Sequence, residues 1–272
     1  MLALVATPIG NLGDISARAL ETLRDADVIA CEDTRVTGNL LSKFEIRRPT
    51  LPYHDHNAET MRPKLIERLL HGETVALVSD AGMPLISDPG YKLVRAATEA
   101  GIAVTVIPGA SAPLAALVLS GLPSDRFLFA GFLPVKEGAR RETLLSLKAV
   151  PATLLFFETG PRLAGSLASC ADVLGDRPAA VARELTKLHE EVRRDTLGAL
   201  ARHYAESGAP KGEIVVVIGP PLAEELAYDV DSALETALKT MAVKDAAGAV
   251  AAASGRPRRE IYARALALKG KP

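Results

Sequence analysis

The chain contains no tryptophan, and aromatic residues make up only 4% of it. A surface built from many stacking aromatics is therefore excluded as the main mode of binding. Its two cysteines, Cys31 and Cys170, are too few for a disulfide framework and match no zinc spacing, which fits a reducing cytoplasm. No G-x-G-x-x-G follows the first apolar run, and neither G-x-x-x-x-G-K-[ST] nor a G-x-S-x-G elbow occurs. Dinucleotide dehydrogenases, P-loop nucleotide hydrolases and α/β-hydrolases are thus unsupported. The opening MLALVATPIG has no basic run and no cleavage signature, so no secretory signal is expected.

What is present is a chain of 272 residues, 48% hydrophobic and 24% charged, the balance of a folded globular protein. Its 32 basic and 33 acidic residues nearly cancel, but not evenly. From Lys239 to Pro272 eight Lys or Arg stand against Asp245 and Glu260, a local charge of +6. A basic module on an acidic body is one electrostatic footprint of a nucleic-acid binder, and also the pattern of a solvated helical face. The stretch from Ala100 to Ser124 carries no charge and is long enough to cross a bilayer. Pro108-Gly109 splits it, however, and a buried strand followed by a buried helix explains it better.

Short apolar runs alternate with amphipathic segments. Strands are predicted at Leu2–Ala6, Val28–Cys31, Thr50–Pro52, Val75–Ser79 and Val104–Ile107, with helices between them. Near-continuous hydrophobic strands of this kind imply a mostly parallel sheet covered on both faces. After the Gly121–Asp125 turn the alternation resumes, with strands at Phe127–Ala130, Thr153–Phe157, Ala179–Arg183 and Ile214–Ile218 and a further candidate at Glu191–Thr196. The expected class is α/β, with domains at 1–120 and 121–221 and a helical, basic module at 222–272. Within that module the Ser254-Gly255-Arg256-Pro257 turn between two helical segments fits a helix-turn-helix or a plain helical hairpin.

Three loops carry unusual chemistry for connectors. They are Thr7-Pro8-Ile9-Gly10-Asn11, the segment from Ser79 to Gly90, and Pro108-Gly109-Ala110-Ser111-Ala112. All three follow predicted parallel strands, on the edge where open α/β sheets bind ligands. Glycine lets backbone approach a ligand, proline stiffens the loop, and free N–H groups can take an anion. His54-Asp55-His56 is the one metal-like cluster, but nothing completes a zinc site, and a polar site mouth is the alternative.

Read together, these segments resemble the class III methyltransferases of the tetrapyrrole methylase fold, and within them the branch that modifies small-subunit ribosomal RNA. The likeness runs nearly end to end, through Ala6–Leu12, Cys31-Glu32-Asp33-Thr34-Arg35, His54–Asn57, Ser79–Gly90, Pro108–Ala112, Gly121–Phe127, Gly131–Pro134, Ala182–Lys187 and Lys211-Gly212-Glu213. The chain departs from the family at Met83, where Thr is usual, at Ala110, where Pro is usual, and at Glu158-Thr159-Gly160-Pro161-Arg162, where the family reads Glu-Ser-Pro-His-Arg. The missing histidine removes any role for a side chain of that type at position 161.

The resemblance implies S-adenosylmethionine held between two α/β domains of a homodimer. It implies 2′-O-methylation of a decoding-region cytidine in 16S ribosomal RNA of the small ribosomal subunit, with neither metal nor membrane. Carried over position by position, the cofactor residues are Pro8, Asp80, Ala81, Gly82, Met83, Pro84, Ile86, Ser87, Gly109, Ser111, Ala112, Phe157, Leu185, Gly212, Glu213 and Ile214. Candidates for proton transfer or phosphate holding are Glu32, Arg35, His54, Glu158, Arg183 and Lys187, with Asp33, Asp55 and Glu184 beside them. For Glu32-Asp33 and Arg183-Glu184 the other reading is an interdomain salt-bridge network. Phosphate contacts are expected at Lys244, Arg256, Arg258 and Arg259. Rival readings are a class III methyltransferase acting on a tetrapyrrole or other small molecule, a metal hydrolase built on His54 and His56, and a non-catalytic RNA-binding assembly factor.

Overall fold

Short, nearly continuous apolar runs form the first sheet, with Thr105 the one polar side chain in its four-residue strands. β1 (Leu2–Val5), β2 (Val28–Cys31), β4 (Val75–Val78) and β5 (Val104–Ile107) join the short β3 (Thr50–Pro52) in a parallel sheet of order β3-β2-β4-β1-β5. The computed structural model describes residues 1–87, 90–221, 230–254 and 257–269. Both faces of this sheet are covered, which is why its strands do not alternate with polar residues. Ala3, Val5, Ile29 and Cys31 pack under α1 (Ala17–Asp25) and α2 (Thr34–Lys43) on one face. Leu2, Val28, Ala30 and Val75 pack under α3 (Ala58–Leu70) and α4 (Tyr91–Glu99) on the other. Side-chain caps fix two of the helix starts. Ser16 Oγ accepts the Ala19 N–H at 3.1 Å, and Asp33 Oδ1 accepts the Arg35 N–H at 2.8 Å.

The second sheet has order β6-β7-β10-β8-β9, from β6 (Phe127–Phe132), β7 (Thr153–Thr159), β8 (Pro178–Arg183), β9 (Glu191–Thr196) and β10 (Glu213–Ile218). Only β6 and β7 run parallel; the other three pairings are antiparallel. α6 (Glu137–Leu147), α7 (Gly160–Leu174) and α8 (Leu197–Ser207) cover one face around Leu154, Phe156, Leu167 and Val216. The opposite face is covered by α5 (Ala112–Ser120), whose Ala116 and Leu117 lie on Leu155, Ala180, Val215 and Val217 together with Ile9 and Leu185. That helix is apolar almost all round: it follows β5 of the first sheet, packs one side on the second and leaves Leu114, Val118 and Leu119 exposed.

Met1–Pro220 forms one compact unit holding both sheets, and Pro221–Pro272 a second. The second unit consists of α9 (Val230–Leu238), α10 (Val243–Ser254) and α11 (Arg258–Lys269) around Leu234, Ala247, Val250, Ile261 and Ala265. Part of the predicted turn, Gly255 and Arg256, lies outside the described residues. Among the described residues no helix is long and apolar enough to cross a membrane.

Candidate active site

The three loops singled out in the sequence meet at the C-terminal edge of the first sheet. Thr7 and Gly82 exchange backbone hydrogen bonds of 2.9 and 3.1 Å, and Thr7 Oγ1 donates to Ser79 O. A Cβ on Gly109 would stand 2.8 Å from that of Ala6, so the third loop can lie on the first only because it has none. Beside them opens a hollow of about 300 Å³, closed from the second sheet by Phe157, Ala182, Leu185 and Gly212–Val215. Of the expected cofactor residues, Ala81, Gly82, Met83, Ile86, Ser87, Ser111, Ala112, Phe157, Leu185, Gly212, Glu213 and Ile214 line it. Pro8, Asp80, Pro84 and Gly109 are not among its lining. Ile9, Pro113, Phe132, Thr159, Ala182 and Val215 line it without having been singled out. Ile9 could have been found, since it stands between Pro8 and Gly10 in a loop already marked. Phe132 and Phe157 face each other with ring centroids 5.4 Å apart.

Four non-glycine residues at or beside the lining hold positive φ: Ser87, which lines the hollow, Leu85 two residues before it, and Glu184 and Thr186 on either side of Leu185. Such backbone costs on the order of 1 kcal/mol or more per residue and collects at ligand clamps.

A second hollow of about 460 Å³ is lined by Glu32, Asp33, Thr34, Pro52, His54, His56 and Asp80. Its lining includes Asp80, the chain neighbour of Ala81 in the lining of the first. Asn57 shapes its rim, accepting the His54 N–H and donating to Pro52 O, both at 2.9 Å. His54 Nδ1 is buried and has no hydrogen-bond partner among the described residues. Burial and the charges of Asp80 and Asp55 raise the Glu32 carboxyl above the usual glutamate range. Arg35 pairs with Asp33 at 2.6 Å and holds that carboxyl down to about 2. Among the described residues no group of three His, Cys, Asp or Glu side chains is placed to hold a metal ion.

The catalytic candidates therefore divide. Glu32 and His54 share the ionisable hollow, with Arg35 at its edge. Glu158 lines the apolar one but is engaged: it accepts from Ser166 Oγ and from the Thr159 N–H at 2.8 Å, and pairs with Arg162 at 3.2 Å. Arg183 pairs with Glu191 at 3.1 Å. Lys187 bridges Glu184 at 2.8 Å and Glu213 at 3.1 Å, its stem lying on Gly10 of the first loop. Among the described residues the ion pairs of Asp33, Arg183 and Glu184 are thus local and form no network between the sheets.

Comparison with known proteins places this arrangement. The family model of Tetrapyrrole (Corrin/Porphyrin) Methylases matches residues 1–201, and that of the RsmI C-terminal HTH domain matches residues 224–269. The chain is 57% identical over 270 residues to Ribosomal RNA small subunit methyltransferase I of Mesorhizobium japonicum, covering 98% of this chain and 92% of that one. It is 56% identical over 270 residues to the protein of the same name from Erythrobacter litoralis, covering 98% and 95%. Uroporphyrin-III C-methyltransferase from Thermus thermophilus, solved with S-adenosyl homocysteine, shares the fold at TM-score 0.55 and 21% identity, over 80% of this chain and 96% of that one. The chain belongs to the tetrapyrrole methylase family, in the branch of the ribosomal RNA small subunit methyltransferase I proteins.

Proposed function

We propose that this chain methylates the 2′-oxygen of a decoding-region cytidine in 16S ribosomal RNA of the small ribosomal subunit, with S-adenosylmethionine as methyl donor. The observation that carries this is the pair of hollows, one apolar and one ionisable, lined by the successive residues Ala81 and Asp80, in a chain whose relatives are named for that RNA. The lining fits the donor. A Cβ on Gly82 would project to 3.3 Å from Ile9, in space a ligand needs, and the Phe132 and Phe157 rings suit an adenine. When bound, the donor supplies an electrophilic methyl group on a sulfonium, which passes to the ribose oxygen and leaves S-adenosylhomocysteine.

Glu32 takes the 2′-hydroxyl proton as that oxygen attacks, and His54 orients the ribose. A carboxylate with raised proton affinity is the stronger base. Lys187 and Arg183 stand on the second-sheet rim, where a phosphate passes. Holding the reactants in line contributes about 7–11 kcal/mol. A general base contributes roughly 3–5 kcal/mol, so positioning dominates. A tetrapyrrole acceptor would need a large apolar cleft, whereas Glu32, Asp33, His54, His56 and Asp80 line the acceptor side here.

Residues 1–120 and 121–221 act as the two catalytic domains and 222–272 as the RNA module. The chain works in the cytoplasm as a homodimer, for which the exposed Leu114 and Val118, one turn apart on α5, provide apolar surface. The test is transfer of labelled methyl from S-adenosylmethionine to small subunits lacking the modification, read by nucleoside mass spectrometry. Label in 2′-O-methylcytidine supports the reading. Donor binding with no transfer to subunits or RNA overturns it.

A further inference from the structure

α11 buries Ile261 and Ala265 against α9 and α10, which turns its opposite side outward. Along one exposed flank Arg259, Tyr262, Leu266 and Lys269 recur at spacings of three, four and three residues, one face of a helix. Tyr262 is 40% exposed and Leu266 50%, in a chain otherwise poor in aromatics. The cations of this helix are used differently. Arg264, on another side, is held by both carboxylate oxygens of Asp231. Arg258 folds back over Gly248, its Nη2 3.5 Å from Lys244 O. Arg259 and Lys269 are exposed and have no ion pair or hydrogen bond among the described residues.

We infer that the Arg259–Tyr262–Leu266–Lys269 face of α11 is a docking surface for unpaired RNA, with Tyr262 stacked on a base and the two cations on flanking phosphates. The inference rests on the RNA reading above; it keeps Arg259 of the expected phosphate contacts and adds Tyr262, Leu266 and Lys269. Charge decides the partner: two unpaired cations flank a narrow apolar strip, which complements a phosphate backbone carrying exposed bases. An unpaired segment suits it better than a duplex, because the A-form major groove is too narrow to admit side chains.

The test uses the full chain. Tyr262→Ala, Tyr262→Phe and the double variant Arg259→Gln with Lys269→Gln are compared with wild type and with Lys64→Gln, an exposed lysine of α3. Affinity for a single-stranded 16S fragment and for subunits is measured against salt, with KM and kcat for methyl transfer, donor affinity and thermal melting. Loss of the ring should raise Kd and KM about ten-fold or more, with kcat, donor affinity and melting unchanged. Tyr262→Phe should restore binding, since stacking needs the ring and not the hydroxyl. The double variant should flatten the log Kd against log salt slope by about 1.4, the value for two single-strand phosphate contacts. Variants that bind as wild type while transfer proceeds overturn this surface alone. A wild type that neither binds nor methylates RNA overturns the RNA reading with it. Weakened binding to subunits but not to the fragment, with an unchanged slope, assigns the face to a protein and overturns the RNA assignment.

Discussion

Gly160 lies directly beneath the carbonyl of Pro210, with no room between them for a side chain. Gly160 opens α7 after β7, and Pro210 leads through Gly212 into β10, so this contact sets the pocket wall that Gly212, Glu213 and Ile214 supply. Gly160→Ala must displace that backbone, at about 1–3 kcal/mol. We expect a lower melting temperature and a weakened affinity for S-adenosylmethionine, read by calorimetry, with a smaller change in kcat at saturating donor.

As the proposed base, Glu32 should set the acid limb of the pH profile. Its carboxyl must be ionised to accept a proton, and burial with the nearby Asp80 and Asp55 raises it above the ordinary value of 4.5. The kcat/KM profile should therefore fall with decreasing pH at an apparent pKa above that of free glutamate. Glu32→Gln should cost roughly 100-fold or more in kcat and erase that limb. A Glu32→Gln enzyme that keeps both rate and limb excludes Glu32 as the base.

The same shift has a sign for stability. The fold favours the protonated form of Glu32, so its stabilising contribution is full below 4.5 and is lost as pH rises through the folded-state value. At neutral pH Glu32→Gln should therefore melt somewhat above wild type. The gap should close as the medium is acidified, which melting curves across pH 4 to pH 8 would follow.

Glu158 is expected to act as a positioning residue. Ser166, the Thr159 N–H and Arg162 occupy its carboxylate. Glu158→Ala leaves Arg162 short of its partner and should destabilise by about 3 kcal/mol in chemical denaturation. Glu158→Gln can keep its oxygen on the Thr159 N–H and donate its amide to Ser166 Oγ, and should keep most of its turnover well below the melting temperature. A collapse of kcat in a folded Glu158→Gln would return Glu158 to the chemistry.

Neither thiol should react in the folded protein. Burial pushes Cys170 up to about 12 and raises Cys31 as well, which leaves little thiolate near neutrality. Iodoacetamide at pH 8 should label both only after denaturation, as intact-mass measurement would show.

Much of the first sheet was readable because its strands are fully buried and its connectors are rich in Gly and Pro. Val28–Cys31, Thr50–Pro52 and Val104–Ile107 fall where the apolar runs place them, and the three marked loops do converge. The start of α2 at Thr34 was not readable from periodicity, because Asp33, the residue that caps it, also belongs to the ionisable cluster. α6 begins at Glu137, five residues before its apolar pattern does, since Glu137-Gly138-Ala139-Arg140-Arg141 carries no hydrophobic period. The antiparallel pairing of the second sheet was not readable at all, because the hydrophobic period of a strand does not name its neighbour. Ala182 reaches the pocket through the antiparallel β10–β8 pairing, and Phe132 through the parallel pairing of β6 with β7.

Phe132 stands half exposed at the edge of the donor pocket, beside Phe157, in a chain without a single indole. Excited beyond the absorption of its five tyrosines, the protein therefore has no intrinsic emission. Phe132→Trp would place one fluorophore at the pocket mouth, so each arrival and departure of the donor could be followed in real time against a dark background.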